Sequence, residues 1–300
     1  MTIHRRAGDR DLVMVIGSVN EDVVLQVPRA PGPGETIFAT GRERRPGGKG
    51  ANQAVAAASA GARVRLLAKV GDDRAGARMT DDLQRAHVDT ALMMSVPGMA
   101  TGMAYITVTP DGENTIVLDP GANMQLMPSD IEICEADLAS AAVLLAQLEV
   151  PVATVSAAVQ RAVAVGTRPV VTLAPARQVP DQLLRGLDPL LLNEHEAAAL
   201  LGGAAIDVGN AGSAAEQLLA RGPRSVVITL GPHGAVLADQ RAVSRLPAPH
   251  VERIVDTTGA GDTLAGVLAA ALAEPGTPLV DALRQAVAAA SRAVQRPGAR

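Results

Sequence analysis

Aromatic side chains are almost missing from this sequence: one Phe, one Tyr and no Trp among 300 residues. A base-stacking nucleic-acid platform or an aromatic sugar-binding surface therefore has almost no material. Cysteine is as scarce. The single Cys134 excludes an internal disulfide and any Cys-based zinc cluster. The five His show neither HExxH nor another paired metal spacing. No apolar run approaches the ~18 uninterrupted residues of a membrane span. The opening MTIHRRAGDRD carries two Arg followed by an acidic stretch, Asp9 to Asp11, and reads as a short flexible leader, not a signal peptide. These features predict a soluble, cytoplasmic chain with neither a membrane nor a nucleic-acid partner. A net charge of −4 points the same way, since a general polyanion binder is basic. A small phosphorylated ligand stays open, because backbone dipoles bind phosphate without a basic surface.

What the sequence does have is core material: 48% of it is hydrophobic, mostly Ala, Val and Leu, against 19% charged, which excludes disorder for most of the chain. The buried run Leu12 to Ile16 predicts a strand entering a loop at Gly17-Ser18. Residues 50–60 predict a helix stopped by Gly61, and 64–70 a second strand, followed by a Gly71-Asp72-Asp73 turn and a helix to about His87. Residues 102–109 and 114–118 are β-prone and joined by the turn Pro110-Asp111-Gly112-Glu113; 23–27 and 36–40 are two more extended candidates. From residue 130, strands near 142–146, 170–173, 190–192 and 225–230 alternate with helices at 152–165, 181–186, 194–201 and 211–221. Extended pieces near 234–238 and 243–246 then precede helices at 260–273 and 279–295. Such alternation predicts an α/β fold with a mostly parallel sheet covered on both faces. The four early β pieces do not fit that layer and predict a small separate sheet, a lid over the ligand crevice. No repeat or long linker divides the chain.

The sharpest motif is Asp256-Thr257-Thr258-Gly259-Ala260-Gly261-Asp262-Thr263, opening an Ala/Leu-rich helix. Glycines at a helix start let N–H groups approach an anion closely. Asp262 in that first turn is either a helix cap or a base that takes a proton from a hydroxyl attacking a phosphoryl group. Gly47-Gly48-Lys49-Gly50-Ala51-Asn52-Gln53 also starts a helix but is not a Walker A loop. It is either a flexible loop with a capped helix or a tight backbone approach to a polar ligand, with Asn52 bonding on two sides. Four weaker pieces each have an ordinary explanation. Asn20-Glu21-Asp22 follows a strand end, where open α/β sheets place ligand contacts, but solvated turn residues look the same. Asn193-Glu194-His195-Glu196 reads as a helix cap with an acidic first turn. Thr229-Leu230-Gly231-Pro232-His233-Gly234 reads as a turn between strands, and Glu149 as a strand-end charge.

In this order, the segments resemble the ribokinase/PfkB carbohydrate kinase family over nearly the whole chain, from Gly17-Ser18-Val19-Asn20 onward. DTTGAGDT at 256–263 is the family's most diagnostic signature. GGKGANQAVAA at 47–57, Gln147-Leu148-Glu149, Ala174-Pro175-Ala176-Arg177 and Ile228-Thr229-Leu230-Gly231 look like its ribokinase branch. The resemblance implies a ribokinase-like fold as a single kinase domain over 1–300, with lid segments at about 22–45 and 102–119. It implies transfer of the ATP γ-phosphate to the 5-hydroxyl of D-ribose. Asp262 would be the base, and the amides of Gly259, Ala260 and Gly261 the anion hole. Asn20, Asp22, Gly48, Lys49, Asn52 and Glu149 match sugar-binding positions. Thr229, Gly231 and Gly234 match ATP contacts, joined by Asn193 and Gly261. Asn193 and Glu196 match a motif associated with Mg²⁺, while Asp256 and the Thr258 carbonyl match part of a monovalent-cation site, usually K⁺. It also implies a homodimer through the lid, where Ile106, Val108, Ile116 and Leu118 alternate with polar or small neighbours. Two departures stand out. Thr172-Leu173 replaces a common Asn-Pro, removing a polar group near the phosphate path. The sequence ends at Gly298-Ala299-Arg300, where the family commonly continues with a segment that helps complete the cation site. Related kinases for deoxyribose, a nucleoside or another small sugar share the pattern, as would a sugar-binding protein that has lost turnover.

Overall fold

All five residues of Leu12–Ile16 (β1) are buried, and their alternation divides the interior in two. Met14 and Ile16 join the apolar cluster on one face of a sheet, Val13 and Val15 that on the other, as a strand covered on both sides requires. The structure, a computed structural model, describes residues 11–296 with Gly298 and Ala299; the expected leader falls on residues outside these, apart from Asp11.

After β1 come Asn20–Gln26 (β2), Gly41–Gly47 (β3), Lys49–Ser59 (α1), Arg63–Gly71 (β4), Arg74–Arg85 (α2) and the short Val88–Asp89 (β5) and Met93–Val96 (β6). Gly102–Val108 (β7) and Asn114–Asp119 (β8) follow, then a 3₁₀ turn at Gly121–Gln125, Asp130–Ile133 (α3) and Glu135–Ser140 (α4). The alternating part comprises Val143–Ala146 (β9), Val152–Val165 (α5), Arg168–Thr172 (β10), Asp181–Leu184 (α6), Leu190–Asn193 (β11), Glu194–Leu201 (α7), Ala211–Leu219 (α8) and Ser225–Thr229 (β12). The 3₁₀ turn Gly231–His233, Ala235–Asp239 (β13), Val243–Leu246 (β14), Ala260–Ala273 (α9) and Leu279–Ala293 (α10) complete the chain.

The large sheet runs β14-β13-β12-β11-β10-β9-β1-β4-β5, with β6 also on β4. It is parallel except where β13 and β14 turn back. Its helical layers are unlike. Val155 of α5 and Leu218 of α8 pack in the cluster with Met14. Ala51 and Ala54 of α1, Leu268 of α9 and Leu283 of α10 pack in the cluster with Val13. The second sheet, β3-β2-β7-β8, is the expected small one.

Its first strands differ from the sequence reading. Residues 36–40 are not a strand; β3 is Gly41–Gly47, paired antiparallel along all of β2. Its sequence GRERRPG hides it, because an edge strand is protected by the charges and proline that make it look like a loop. β2 begins at Asn20, so Asn20 and Asp22 sit in strand and not in a turn. On the β7–β8 hairpin, apolar residues occupy both faces: Ile116 is exposed, and so are Tyr105 and Val117. No helix among the described residues is long and apolar enough to cross a membrane.

The small sheet is fastened to the large one at two points. Glu21 is buried and accepts from Arg44 in β3 and Arg78 in α2. Asp73, the N-cap of α2, accepts from the Gly76 N–H (2.8 Å), the Thr101 N–H (2.8 Å) and the Thr101 hydroxyl (2.7 Å), pinning the entry to β7. Burial pushes the Asp73 carboxyl up, but these donors outweigh it and hold it below its usual value. A carboxyl held low stabilises the fold above its unfolded-state pKa, and the gain fades as pH falls through the folded one. Asp73→Ala should therefore cost about 1–2 kcal/mol at neutral pH, with the gap to wild type closing in acid; urea unfolding at both pH values measures it.

Candidate active site

Open α/β sheets bind ligands beyond the carboxyl ends of their strands, where the strand order reverses. Here β1 is that point, with β4 on one side and β9 on the other. The loops leaving β1, β9, β10 and β11 converge on the N-terminal ends of α1 and α9.

The first cluster is built on Glu149, just beyond β9. One carboxylate oxygen accepts from the Ser18 hydroxyl (2.6 Å), the Lys49 N–H (3.1 Å) and the Asn20 amide (3.5 Å). The Ser18 hydroxyl in turn accepts from the Gly50 N–H (3.3 Å). This closeness needs glycine at position 48, which has φ 86°, a left-handed conformation costly for other residues; a Cβ there would meet the Asn20 nitrogen at 2.7 Å. The Asn20 side-chain Oδ1 accepts from the Asn123 amide (2.7 Å), which also brackets Val19, taking its backbone N–H (2.9 Å) and donating to its C=O (3.2 Å). Asp22, two residues along the same face of β2, lies over Gly47, where a Cβ would be 2.0 Å from its oxygen.

The second cluster is built on Asp262, in the first turn of α9 and 8% exposed. Its side chain is not the cap. Oδ2 accepts from the Asn52 amide (3.1 Å) and Oδ1 from the Gln53 amide (2.9 Å). Gln53 also donates to the Thr172 hydroxyl (3.1 Å) and accepts from Gln147 (2.7 Å). The helix is capped by Gly259, φ 75°, and a Cβ there would lie 2.5 Å from Ala299 Cα.

Between α9 and the ends of β10–β12 is a cavity of about 240 Å³, and seven of the expected residues line it: Lys49, Asn193, Glu196, Thr229, Gly259, Gly261 and Asp262. Gln53, Thr172 and Thr257 also contribute. Thr172 thus stands on the cavity wall, with its hydroxyl bonded to Gln53 and the Ala146 carbonyl. The sugar-matched Asn20, Asp22, Gly48, Asn52 and Glu149 lie outside these walls, with Asn52 bridging to Asp262. Burial lowers the Lys49 ammonium, but the surrounding carboxylates of Asp262, Glu149, Glu196 and Asp22 outweigh it and hold its pKa above the usual value. Burial pushes the Glu196 carboxyl up, opposed by the Asn193 N–H and by Lys49.

Asn193 and Glu196 do form the cap that sequence alone offered for them: the Asn193 side chain accepts from the Glu196 N–H (2.7 Å), and Glu196 accepts from the Asn193 N–H (2.8 Å) through one oxygen. The other oxygen remains for a ligand. Among the described residues no three His, Cys, Asp or Glu are grouped to hold a metal ion, so a divalent ion at Asn193 and Glu196 fits only with ligands supplied by a substrate phosphate. Asp256 accepts from the Thr258 N–H (2.8 Å) and the Gly298 N–H (2.9 Å), one per oxygen, and the Thr258 side chain adds a further bond to it. An oxygen set of this carboxylate and the Thr258 carbonyl fits a monovalent cation. Gly231 and Gly234 shape the β12–β13 turn; the Gly234 N–H donates to Gly231 and its C=O accepts from Leu230. Neither lines the cavity.

Asn123, and the roles of Gln53 and Gln147, were invisible to sequence reasoning. Asn123 lies in a one-turn 3₁₀ segment without a motif, and the two glutamines sit inside motifs that gave no hint of what they touch.

A family model described as pfkB family carbohydrate kinase matches residues 10–300. The chain is 38% identical to the ribokinase of Haemophilus influenzae over 97% of its own length and 94% of the relative's. Among solved structures, that of Arabidopsis thaliana ribokinase complexed with ribose and ATP is similar at TM-score 0.87 and 31% identity, covering 96% of this chain and 93% of that one. The ribokinase of Cryptococcus neoformans in complex with ADP is similar at TM-score 0.80 and 34% identity, covering 96% and 95%.

Asn123 tests the first cluster. Asn123→Leu keeps the size but strands the Val19 N–H and the Asn20 side chain, so stability should fall by about 1–3 kcal/mol. Urea unfolding reads the loss directly.

Proposed function

The chain belongs to the pfkB family of carbohydrate kinases, and we propose that it is a ribokinase, transferring the γ-phosphoryl group of ATP to the 5-hydroxyl of D-ribose to give D-ribose 5-phosphate. One observation carries the reading. A buried carboxylate, Asp262, stands in the first turn of α9 beside a glycine-rich helix start and opens on a cavity, while a second polar cluster around Glu149 meets it through Asn52. A base next to an anion-binding helix end, with a hydroxyl-binding site on one side, is the equipment phosphoryl transfer needs.

In this reading Asn20, Asp22, Gly48, Lys49, Asn52 and Glu149 hold the sugar hydroxyls. Asp262 takes the proton from the 5-hydroxyl as its oxygen bonds to the γ-phosphorus, and the bond from that phosphorus to the β-phosphate oxygen breaks to release ADP. The Gly259 and Gly261 N–H groups, on the cavity wall, would meet the transferring group where the α9 dipole favours negative charge. The Ala260 N–H donates instead to the Thr257 carbonyl (3.3 Å), and Ala260 does not line the cavity. Lys49, kept charged by its carboxylate neighbours, adds a cation on the same wall. Thr229, Gly231 and Gly234 lie on the nucleotide side. Mg²⁺ bound to the ATP phosphates would sit beside Asn193 and Glu196, and K⁺ at Asp256 and the Thr258 carbonyl; both would offset charge during transfer. The protein acts in the cytoplasm.

The same reading gives the small sheet a second task. Four strands with exposed edges pair readily unless covered, and Tyr105, Ile116 and Val117 present apolar surface. Two copies packing lid to lid would cover it and exclude water from the sugar. Light scattering at micromolar concentration should give twice the chain mass, and Ile116→Glu should halve it. A wild type that stays monomeric and active refutes the dimer.

A coupled ADP-release assay with ribose tests the reaction. Asp262→Asn should lose ~10²–10⁴-fold in kcat while binding ribose with little change. Ribose should also exceed 2-deoxyribose in kcat/KM, because a site built to bond a hydroxyl is left unpaired without it. Equal use of the two sugars would favour a broader kinase.

A further inference from the structure

Gln147 and Gln53 are almost fully buried, and they belong to different parts of the fold: Gln147 just past β9, Gln53 in the first turns of α1. Gln147 Nε2 donates to Gln53 Oε1 at 2.7 Å, and Gln53 Nε2 donates to Asp262 Oδ1 at 2.9 Å and to the Thr172 hydroxyl at 3.1 Å. Gln147 Oε1 is buried and has no partner; it lies over Gly17, where a Cβ would be 2.0 Å away.

That orphaned oxygen has a cause. An ionised carboxylate only accepts, so Gln53 must turn its nitrogen toward Asp262. Its oxygen then faces Gln147, which must present its own nitrogen, and the remaining Gln147 oxygen is left where nothing donates. Turning Gln147 alone would set oxygen against oxygen. Turning both would set the Gln53 oxygen against the Asp262 carboxylate. A buried carbonyl without a donor is unfavourable, so stability alone does not select this arrangement; the carboxylate at its end does.

We propose that Gln147 and Gln53 form a one-directional hydrogen-bond relay that fixes the orientation of the Asp262 carboxylate, making both positioning residues for the phosphoryl transfer. The proposal rests on the function given above. With Oδ1 held by Gln53 and Oδ2 approached by Asn52, the carboxylate plane is set before substrate arrives. Misplacement of a reacting group by about 1 Å costs on the order of 10²-fold in rate.

Two variants of Gln147 separate positioning from structure. Gln147→Met removes the donor and the orphaned oxygen together, and leaves the buried Gln53 oxygen without its donor instead. It should lower kcat about tenfold, with ribose affinity unchanged by calorimetry and the unfolding temperature close to wild type, because one buried unpaired oxygen replaces another. Gln147→Glu, when ionised, can only accept, so at high pH it draws the Gln53 nitrogen away from Asp262 and should cost more kcat than the Met variant. A Met variant with wild-type kcat overturns the relay, as does a parallel fall in kcat, affinity and unfolding temperature. The side-chain amide protons of Gln53, followed by ¹⁵N NMR, should exchange slowly in wild type and quickly in the Met variant; fast exchange in wild type also overturns the relay. A wild type without ribose-dependent ADP release overturns the function instead, and the NMR arm still decides the relay.

Discussion

A carboxylate taken out of water must find donors or lose its charge, and the arrangement around Asp262 follows from that requirement. Both donors, Asn52 and Gln53, come from α1, so α1 and α9 must approach closely. The contact is made at Gly266, where a Cβ would lie 2.5 Å from the Gln53 carbonyl oxygen. Alanine-rich faces complete it, Ala51 and Ala54 packing in one cluster with Ala265 and Ala269. The low aromatic content and the abundance of Ala are thus of a piece with the site: small side chains let two helices come near enough for amides on one to serve a carboxylate on the other.

The Glu149 cluster obeys the same constraint with other means. Its donors are a hydroxyl, a backbone N–H and an amide, and it forms where α1 starts beside the end of β1. The Ala51 N–H donates to the Ser18 carbonyl at 2.9 Å, tying the glycine-rich turn to that strand end. Through Lys49 and Asn52 a single stretch of chain serves both clusters. On the proposed function, a sugar held at one would be held at a fixed distance from the base at the other, which is how orientation becomes rate.

β2 connects this centre to the small sheet by alternation alone. Asn20 and Asp22 face the site, while Glu21 between them faces the opposite way into Arg44 and Arg78. Any one-residue slip of β2 would exchange those faces. The buried Glu21, paired with two arginines, therefore sets the register that places Asn20 and Asp22, and the small sheet's position and the makeup of the Glu149 cluster are fixed by the same strand.

Much of this was legible in local sequence. Leu12–Ile16, the helix from Ala260, the turn before Asn114 and the strand–helix alternation after residue 130 are signalled by burial periodicity, glycine stops and turn chemistry, which act over a few residues. So was the candidacy of Asp262, because a carboxylate after two glycines at a helix start is a local pattern. The strand at Gly41–Gly47 was not, since its identity lies in pairing with β2 and its composition is that of an edge. The partners were not legible either: Asn123 meets Val19 across 104 positions, Gln147 meets Gln53 across 94, and Gln53 meets Asp262 across 209. Sequence by itself determined most of the strands and helices of the large sheet and where the glycine-rich helix start at Gly259 lies. Tertiary structure decided which buried amide faces which carboxylate, because a hydrogen bond's direction depends on what stands opposite it, and here that is always a residue from elsewhere in the chain.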